Sequence, residues 1–410
     1  MPQKIKIAIL TTARSDFGLL KRVIQHAAAR FDVDLLVAGS HFLTSRGETI
    51  KEIELECGQL QHLNIVRFDA MGDVNTAMGQ VSTVANTQLM ASRWFASNRC
   101  DLLLFLGDRW ELWGVTVPAF LHGIPLAHIS GGEVTEGVID DCVRHSHTKI
   151  ASLHFAATDE YAKNISQMGE EDWRISVVGE CGLDLIHDSE MATPEDVKAQ
   201  FGVDIRKNTI LVTFHPSTLD YDTPVGVQVN ALLQALSHFS IHQIVFTAPG
   251  VEQGSDIVLA AIGQFVESHP NSLLVDHFGS RNYLAVMSQA KAVVGNSSSG
   301  LVEASSFGVP AVNIGNRQKN RLAADSVLHV NYAPTEIESA LAHVLTPEYQ
   351  DTAKACTNPY DPFRDGKNSL RIVKALENAL VNCPPAQLRI KKFETTVQPD
   401  TWNTLLKESS

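Results

Sequence analysis

Two short apolar runs in this chain each lead into charged side chains that could transfer protons. Leu102–Leu106 is followed by Asp108 and Arg109, and Ile124–Ile129 is followed by Glu133. Continuous apolar runs bounded by glycine and proline are typical of strands that are buried on both faces of a parallel sheet. Because ligands of such sheets bind at the carboxyl ends of the strands, these charged residues are predicted to share one crevice.

A third group of charged residues follows on a predicted helix. Asp140 and Asp141 precede Arg144 by four and three positions. This spacing fits either a proton-transfer site or an acidic first turn that pairs with the arginine. His145 and His147 lie about 200° apart around a helix, so they cannot bind one metal ion together. The cysteines also lack metal-ligand spacing, and we predict no metal site.

The segment Gly295–Gly300 has the composition of a phosphate-binding turn. Between a predicted strand and a predicted helix, its backbone N–H groups and serine hydroxyls could bind a diphosphate. Serine N-caps of a tight turn are the structural alternative. Glu303 could bind the hydroxyls of a ribose, and His215, at the end of another predicted strand, could contact a phosphate. The arginines near turns or helix ends that suit phosphate oxygens are Arg14, Arg109, Arg144, Arg317 and Arg321.

Composition places the chain among globular proteins. It has 410 residues, 44% hydrophobic and 19% charged content, and a formal net charge of −13. This charge argues against non-specific binding to nucleic acid, which needs clustered Lys and Arg. The N-terminus has no signal-peptide pattern, and no run approaches the roughly 20 apolar residues of a membrane span. We therefore expect a cytoplasmic protein with reduced thiols and with no membrane or nucleic-acid partner.

Strand and helix patterns alternate along the chain, which predicts an α/β fold. The alternation breaks at the polar stretch Asp188–Asn208 and then restarts, so we expect two Rossmann-like domains that face each other across a cleft. The predicted limits are 1–185 for the N-terminal domain with the carboxylates, 186–370 for the C-terminal phosphate-binding domain, and 371–410 for a helix and tail. That last helix is expected to return to the first domain.

The chain resembles the bacterial hydrolysing UDP-N-acetylglucosamine 2-epimerases of sialic-acid biosynthesis, and their relatives that act on a diacetamido sugar for legionaminic acid. The resemblance covers most of residues 4–335. It rests on Ala13–Phe17, Gly39–His41, Gly107–Arg109, His128–Glu133, Ile139–His145, Phe214–Pro216, Gly254–Asp256, Gly295–Gly300 with Glu303, and Gly315–Gln318. So many blocks in one order are far more specific than any single motif.

The resemblance implies a fold and a set of site residues. The fold is the GT-B-like pair of Rossmann domains found in many nucleotide-sugar glycosyltransferases, with UDP bound mainly by the second domain. By position, the residues assigned to catalysis are Asp108, Glu133, Asp140, Arg144 and His215. Those assigned to substrate binding are Arg14, His41, Arg109, Ser297, Ser298, Glu303 and Arg317. The implied substrate is a UDP-sugar, no cofactor is required, and a homo-oligomer (dimer or tetramer) is expected.

The implied reaction removes the C2 proton and expels UDP to give a glycal. Water then adds and releases N-acetylmannosamine or its diacetamido analogue. This needs a base near C2, cations for the leaving diphosphate, and a second group that returns a proton to C2. The sequence leaves open which sugar is used. The alternatives are a non-hydrolysing UDP-sugar 2-epimerase, a retaining UDP-sugar glycosyltransferase and a catalytically inactive sugar-nucleotide sensor.

One position departs from the family pattern. Several members carry His-Ile-Glu-Gly-Gly-Glu, where this chain has Ser130 in place of the first glutamate. Serine is a poor base at neutral pH, so the function of that glutamate is absent, shared or moved to Glu133. We expect Asp108→Asn, Glu133→Gln and Asp140→Asn to lower turnover by about 10²–10⁴, with folding and UDP affinity nearly intact.

Overall fold

The strands of this chain form two separate parallel sheets. The computed structural model describes residues 4–43, 48–187, 191–217, 220, 222–250 and 252–394. In the first strand, Ile7 and Ile9 pack into one apolar cluster while Ala8 and Leu10 pack into another on the opposite face. Side chains of successive strand residues point to opposite faces, so both faces of this sheet are covered. The predicted α/β architecture of two Rossmann-like halves is confirmed.

The first sheet contains the N-terminal strands. They are β1 (Lys6–Thr11), β2 (Asp32–Val37), β3 (Leu63–Arg67), β4 (Leu102–Leu106), β5 (Leu126–Ile129), β6 (Leu153–Ala156) and β7 (Ile175–Val177). The helices between them are α1 (Arg14–Ala28), α2 (Ile50–Cys57), α3 (Ala77–Ser97), α4 (Trp113–Leu121), α5 (Asp140–Ile150) and α6 (Asp159–Gln167). The strand order is β3-β2-β1-β4-β5-β6-β7.

The second sheet repeats this plan with fewer strands. They are β8 (Thr209–Thr213), β9 (Gln243–Thr247), β10 (Ser272–Val275), β11 (Ala292–Gly295), β12 (Ala311–Ile314) and β13 (Val327–Val330). Its helices are α7 (Pro194–Phe201), α8 (Val225–Leu236), α9 (Ser255–Ser268), α10 (Ser280–Gln289), α11 (Ser299–Val302), α12 (Pro334–Val344) and α13 (Pro347–Ala355). The strand order is β10-β9-β8-β11-β12-β13.

Strand order reverses once in each sheet. In the first sheet β1 pairs with both β2 and β4, and in the second β8 pairs with both β9 and β11. Loops diverge at such a point, which leaves a crevice beyond the carboxyl ends of the strands. The loops after β1 and β4 and those after β8 and β11 therefore form the natural walls of a ligand site.

Three local predictions differ from the structure. The stretch 188–208, predicted as a polar hinge, contains α7, which starts with Pro194 and a capping box between Thr193 and Asp196. The apolar spacing of residues 139–153 predicts one helix over that range, but the helix ends at Ile150, because Ala151 is extended and Leu153 already pairs in the sheet. β3 was not predicted, because this edge strand is only partly buried and lacks a continuous apolar run.

The chain ends with α14 (Asn368–Asn382) and α15 (Pro385–Arg389). Ile372, Val373 and Leu376 of α14 join the same apolar cluster as Leu20 and Val23 of α1. This places α14 against the first sheet's helical layer, while the domain limits 1–185, 186–370 and 371–410 stay a prediction. Among the helices described, none has the length and apolar character needed to cross a membrane.

Candidate active site

A cavity of about 430 Å³ lies where the two sheets face each other. It is lined by loops from both sheets and contains all but one of the residues predicted for catalysis and substrate binding. These are Arg14, Asp108, Arg109, Glu133, Asp140, Arg144, His215, Ser297, Ser298, Glu303 and Arg317. The predicted side chains, more than 300 positions apart at the extremes, are therefore brought to one place.

A buried carboxylate, that of Asp16, caps the turn after β1. Asp16 accepts hydrogen bonds from the backbone N–H groups of Thr12 and Ala13, both at 2.7 Å. An acidic side chain in the first turn also suits the positive end of the helix dipole. This cap fixes the start of α1 and places Arg14 on the cavity wall, where it pairs with Glu52 at 2.9 Å.

Asp108 follows β4 and forms an ion pair with Arg144 of α5, whose side chain is 1% exposed. Arg144 also donates to the Glu133 carbonyl at 3.0 Å and to Thr135 Oγ1 at 3.1 Å. Burial would raise the pKa of Asp108, but the nearby arginines Arg144 and Arg321 hold that pKa below its usual value. Asp108 is therefore ionised at neutral pH.

Asp140 has the opposite environment. Burial and the neighbouring carboxylates Asp108 and Glu252 raise its pKa from 3.8 to about 7. Among the described residues no lysine, arginine or histidine forms an ion pair with it. Two adjacent carboxyl groups with well-separated pKa values allow one to stay ionised while the other exchanges a proton near pH 7.

Asp141, the next residue, is part of the scaffold. Its Oδ1 accepts from the Thr135 backbone N–H at 2.6 Å and from Arg144 at 3.4 Å. Burial would raise the pKa of Asp141, yet the hydrogen bonds from His145 and Thr135 lower it overall. The first-turn pairing considered from the spacing is thus made by Asp141, which leaves Asp140 to face the cavity.

Glu133 joins the two halves of the molecule. Its carboxylate is 2% exposed and forms an ion pair with Arg321, which lies beyond β12 in the second half. The second carboxylate oxygen, Oε1, is buried without a hydrogen-bond partner among the described residues. Since buried polar atoms are normally satisfied, this oxygen is available to a ligand in the cavity. Arg321 was considered for phosphate oxygens, and here it holds a carboxylate.

In the second half, two hydrogen bonds with the Asn296 side chain fix the backbone of His215. The Asn296 side chain accepts from the His215 backbone N–H and donates to its carbonyl, both at 2.7 Å. The Gly250 N–H donates to His215 Nδ1 at 3.0 Å. Burial and the positive charge of Arg317 lower the pKa of His215 to about 4. The ring is therefore neutral, and with Nδ1 accepting, its proton lies on Nε2, where it can be donated.

The turn after β11 depends on a close backbone approach. Gly295 has φ +134°, and a Cβ there would lie 2.0 Å from the Thr213 carbonyl oxygen. The following helix α11 has only four residues, so any dipole contribution is smaller than a longer helix would give. Ser297 Oγ is 3.1 Å from Ser299 Oγ, while Ser298 lines the cavity.

Arg317 and Glu303 complete the second wall. Arg317 donates to the Asn296 carbonyl at 3.2 Å and pairs with Glu252 at 3.3 Å. Burial, followed by the charge of Glu180, raises the pKa of Glu303 to about 7. Its Oε2 is buried and unsatisfied within the described part of the chain, as expected of an atom that a polar ligand completes.

His41 is the predicted site residue that does not line the cavity. Its two ring nitrogens are occupied by Thr11 Oγ1 at 2.9 Å and Thr49 Oγ1 at 2.7 Å. Burial lowers its pKa to about 3, so it is a neutral core histidine. Its position gives no support to a role in substrate binding. Arg109 does line the cavity, and it pairs with the buried Glu111 at 2.7 Å.

Three carboxylates of the cavity wall escaped the sequence interpretation. Glu180 lines the cavity on the first half, and Glu252 and Asp276 line it on the second half. All three are isolated acidic residues outside the short motifs, so neither charge pattern nor spacing distinguishes them from surface residues. For Glu180, the only available indication was its place just after the strand-like run that ends at Val178 and Gly179.

Comparison with solved structures shows which fold these two sheets define. A UDP-GlcNAc 2-epimerase from Neisseria meningitidis, described as bound to UDP-GlcNAc, superposes with a TM-score of 0.75 over 91% of this chain and 100% of that chain, at 17% identity. The enzyme from Methanocaldococcus jannaschii in complex with UDP-GlcNAc and UDP gives 0.74 over 91% and 99%, at 16% identity. The fold is therefore the GT-B-like arrangement of two Rossmann domains.

Sequence comparison then gives the family. Residues 24–377 match the model of the UDP-N-acetylglucosamine 2-epimerase family, and the chain belongs to it. The polysialic acid biosynthesis protein P7 of Escherichia coli is 30% identical over 90% of this chain and 93% of its own length. The hydrolysing UDP-N,N'-diacetylbacillosamine 2-epimerase of Legionella pneumophila is 28% identical over 91% and 95%.

Proposed function

We propose that the protein is a hydrolysing UDP-sugar 2-epimerase for nonulosonic acid biosynthesis. It converts UDP-N-acetylglucosamine, or its 2,4-diacetamido-6-deoxy analogue, and water into UDP and the free 2-epimeric sugar. The observation that carries this proposal is the split carboxylate pair: Asp108 is ionised beside Arg144, while the pKa of Asp140 is about 7. Both face a wall of phosphate-binding character across one cavity.

We assign the leaving diphosphate to the second wall. Arg317 supplies a positive charge there, and Ser297 and Ser298 supply hydroxyl donors. The neutral His215 can donate a hydrogen bond from its Nε2–H to the departing phosphate oxygen. Glu303, with its unsatisfied oxygen, is proposed to bind the ribose hydroxyls. Together these groups stabilise the charge that develops on UDP as it leaves.

The first step then needs a base at C2. Asp140 is the best-matched group, since its pKa of about 7 lets it accept a proton at neutral pH. As the C2–H bond breaks, its electron pair forms the C1–C2 double bond, and the C1–O electron pair leaves with UDP. Asp108 remains an anion, and its pairing with Arg144 fixes the turn after β4 against α5. The product of this step is a glycal.

The second step adds water across the double bond. The water oxygen bonds to C1, and C2 receives a proton on the face opposite to the one it lost. This returns a free sugar with inverted C2 configuration and leaves no covalent bond to the protein. Every proton and electron pair is supplied by the substrate, water and side chains, so the scheme uses no redox partner.

NMR of a reaction in deuterated water tests the proposal directly. Incubation with UDP-N-acetylglucosamine or its diacetamido analogue should give free UDP and a free 2-epimeric sugar with deuterium at C2. An intact, deuterated UDP-sugar would instead indicate a non-hydrolysing 2-epimerase. Turnover only when an acceptor is added would indicate a glycosyltransferase, and binding without turnover of either sugar a sensor. The ratio of kcat/KM values for the two sugars identifies the physiological substrate class.

A further inference from the structure

Glu180 is held rigidly at the cavity wall. It follows β7, its backbone N–H donates to the Tyr360 carbonyl at 2.9 Å, and its own carbonyl accepts from Asn368 at 3.1 Å. The preceding Gly179 has φ +82°, and a Cβ there would lie 2.4 Å from the Asn368 side-chain oxygen. The residue is 5% exposed and lines the cavity. A carboxyl group fixed this firmly in a cleft is placed to act on a ligand.

Among the described residues, the donors to this carboxyl group are all neutral. Ser130 Oγ donates to Glu180 Oε2 at 2.9 Å, and the Gly182 N–H lies 3.4 Å from Oε1. No arginine, lysine or histidine of the described residues forms an ion pair with it, whereas Asp108, Glu133 and Glu252 each pair with an arginine. Burial and then the negative charge of Glu133 raise the pKa of Glu180. The group thus keeps its proton more readily than an ordinary solvent-exposed glutamate.

Ser130 is set for this contact by its backbone. It lies at the end of β5 with φ +61°, a left-handed conformation that is uncommon for a residue other than glycine. Such strain persists where the surrounding structure fixes it, commonly at functional sites. Its hydroxyl reaches across from β5 to the loop after β7. Ser130 therefore orients the Glu180 carboxyl group.

We propose that Glu180, positioned by Ser130, is the acid that delivers the proton to C2 in the hydration step. This inference rests on the proposed hydrolysing 2-epimerase activity. The Glu180 O–H bond breaks and its proton bonds to C2 through the double-bond electron pair, while the oxygen of water bonds to C1 and the second proton of that water passes to solvent. The resulting carboxylate recovers its proton from solvent before the next turnover.

Inversion at C2 calls for two separate groups, one on each face of the sugar. The charges that act on Asp140 come from Asp108, Glu252, Arg317 and Arg109. Those that act on Glu180 come from Glu133 and from its hydrogen-bond donors, a different set. Asp140 begins α5, whereas Glu180 follows β7 and accepts from Ser130 at the end of β5, so the two carboxyl groups reach one cavity from different elements, as removal of a proton at one face and delivery at the other require.

The decisive variant is Glu180→Gln, which keeps the shape and the acceptor for Ser130. The wild-type reaction in deuterated water is measured first, so that failure of the proposed function is detected independently. In the variant, UDP release should continue while release of the 2-epimeric sugar falls by about 10²–10⁴, the usual effect of a positioned acid. The glycal should therefore accumulate in the NMR spectrum, and UDP affinity measured by calorimetry should stay within about twofold.

A matched control comes from Glu170, a fully buried carboxylate away from the cavity that pairs with Lys149 and Lys391. Glu170→Gln should lower the melting temperature without glycal accumulation. Ser130→Ala should shift the glycal-to-sugar ratio in the same direction as Glu180→Gln, but less. The exchange Ser130→Glu/Glu180→Ser retains one carboxyl group in the pair and should recover sugar release at least about tenfold over Glu180→Ser alone.

Two results would overturn the inference while leaving the proposed function intact. One is a Glu180→Gln enzyme that releases the 2-epimeric sugar at the wild-type rate. The other is a loss of UDP affinity that fully accounts for the loss of turnover, with no glycal detected, since this would make Glu180 a nucleotide-binding residue.

Discussion

Asp140→Asn should make the protein more stable and much less active. The wild-type carboxyl group loses its proton near pH 7 beside Asp108 and Glu252, so its charge is unfavourable in the folded state. An amide of the same shape removes that charge. It also removes the proposed base for the C2 proton, and turnover should fall by about 10²–10⁴. A side chain that only supports the fold would give the opposite change in stability.

The size of the stability gain follows from the difference between the pKa values of Asp140 in the folded and unfolded states. A carboxyl pKa raised from 3.8 to about 7 corresponds to at most about 4 kcal/mol of unfavourable free energy in the ionised form. Partial exposure of Asp140 reduces this through solvent screening to about 1–2 kcal/mol. The folded state binds the proton more tightly than the unfolded state, so this cost grows as pH rises from about 4 to about 7 and is constant above.

Thermal unfolding at two pH values measures the effect. At pH 8 the Asp140→Asn variant should melt about 2–8 °C above wild type, and at pH 5 less than half of that difference should remain. Asp141→Asn is the matched control: a neutral amide oxygen replaces the charged acceptor of the Thr135 N–H and Arg144, so this variant should melt below wild type. Full turnover by Asp140→Asn, or a lower melting temperature at pH 8, would refute the assigned charge state.

Three further predictions concern the cavity walls. Ser298→Ala or Arg317→Ala should weaken UDP binding by about 1–3 kcal/mol in calorimetry, and unchanged affinity in both variants would make the turn after β11 purely structural. Glu133→Gln should lose about 3–5 kcal/mol of stability, seen in denaturant titration, because it leaves Arg321 buried without its partner. This replaces the expectation of intact folding for that variant. Gly137→Ala should raise KM for the UDP-sugar, since a Cβ there would lie 2.1 Å from the Asn316 carbonyl; an unchanged KM would show that the loops separate freely.

The sequence was sufficient for the inner strands of both sheets, because buried parallel strands are continuous apolar runs, but it did not predict the edge strands β3, β10 and β13. Leu102–Leu106 is buried at every position, and the run at Thr209–Thr213 has the same pattern. β3 carries exposed and half-buried residues, so its sequence does not differ from that of a loop. α7 was not predicted because it also lacks an apolar pattern. Val197 is its only buried residue, so the helix that follows the capping box is largely exposed to solvent.

The site was predictable where residues follow strand ends in recognisable blocks. Asp108 and His215 are such cases, because topology alone carries the carboxyl ends of their strands to the cleft. His41 lies in a similar block, yet two threonine hydroxyls occupy its ring, and only packing reveals this. Glu180 and Glu252 come close to their partners through long-range folding. No local pattern encodes such contacts.

The charge states of the proposed catalytic groups depend on contact between the two halves. Glu252 raises and Arg317 lowers the pKa of Asp140, and both lie in the second half, whereas Asp140 lies in the first. Arg321 likewise reaches across to Glu133. A diphosphate bound beside Arg317 would offset that arginine's positive charge and so raise the pKa of Asp140 further. In the proposed mechanism, UDP binding at the second wall and proton transfer at C2 are therefore electrostatically linked, because the proposed base gains proton affinity when the leaving group is in place.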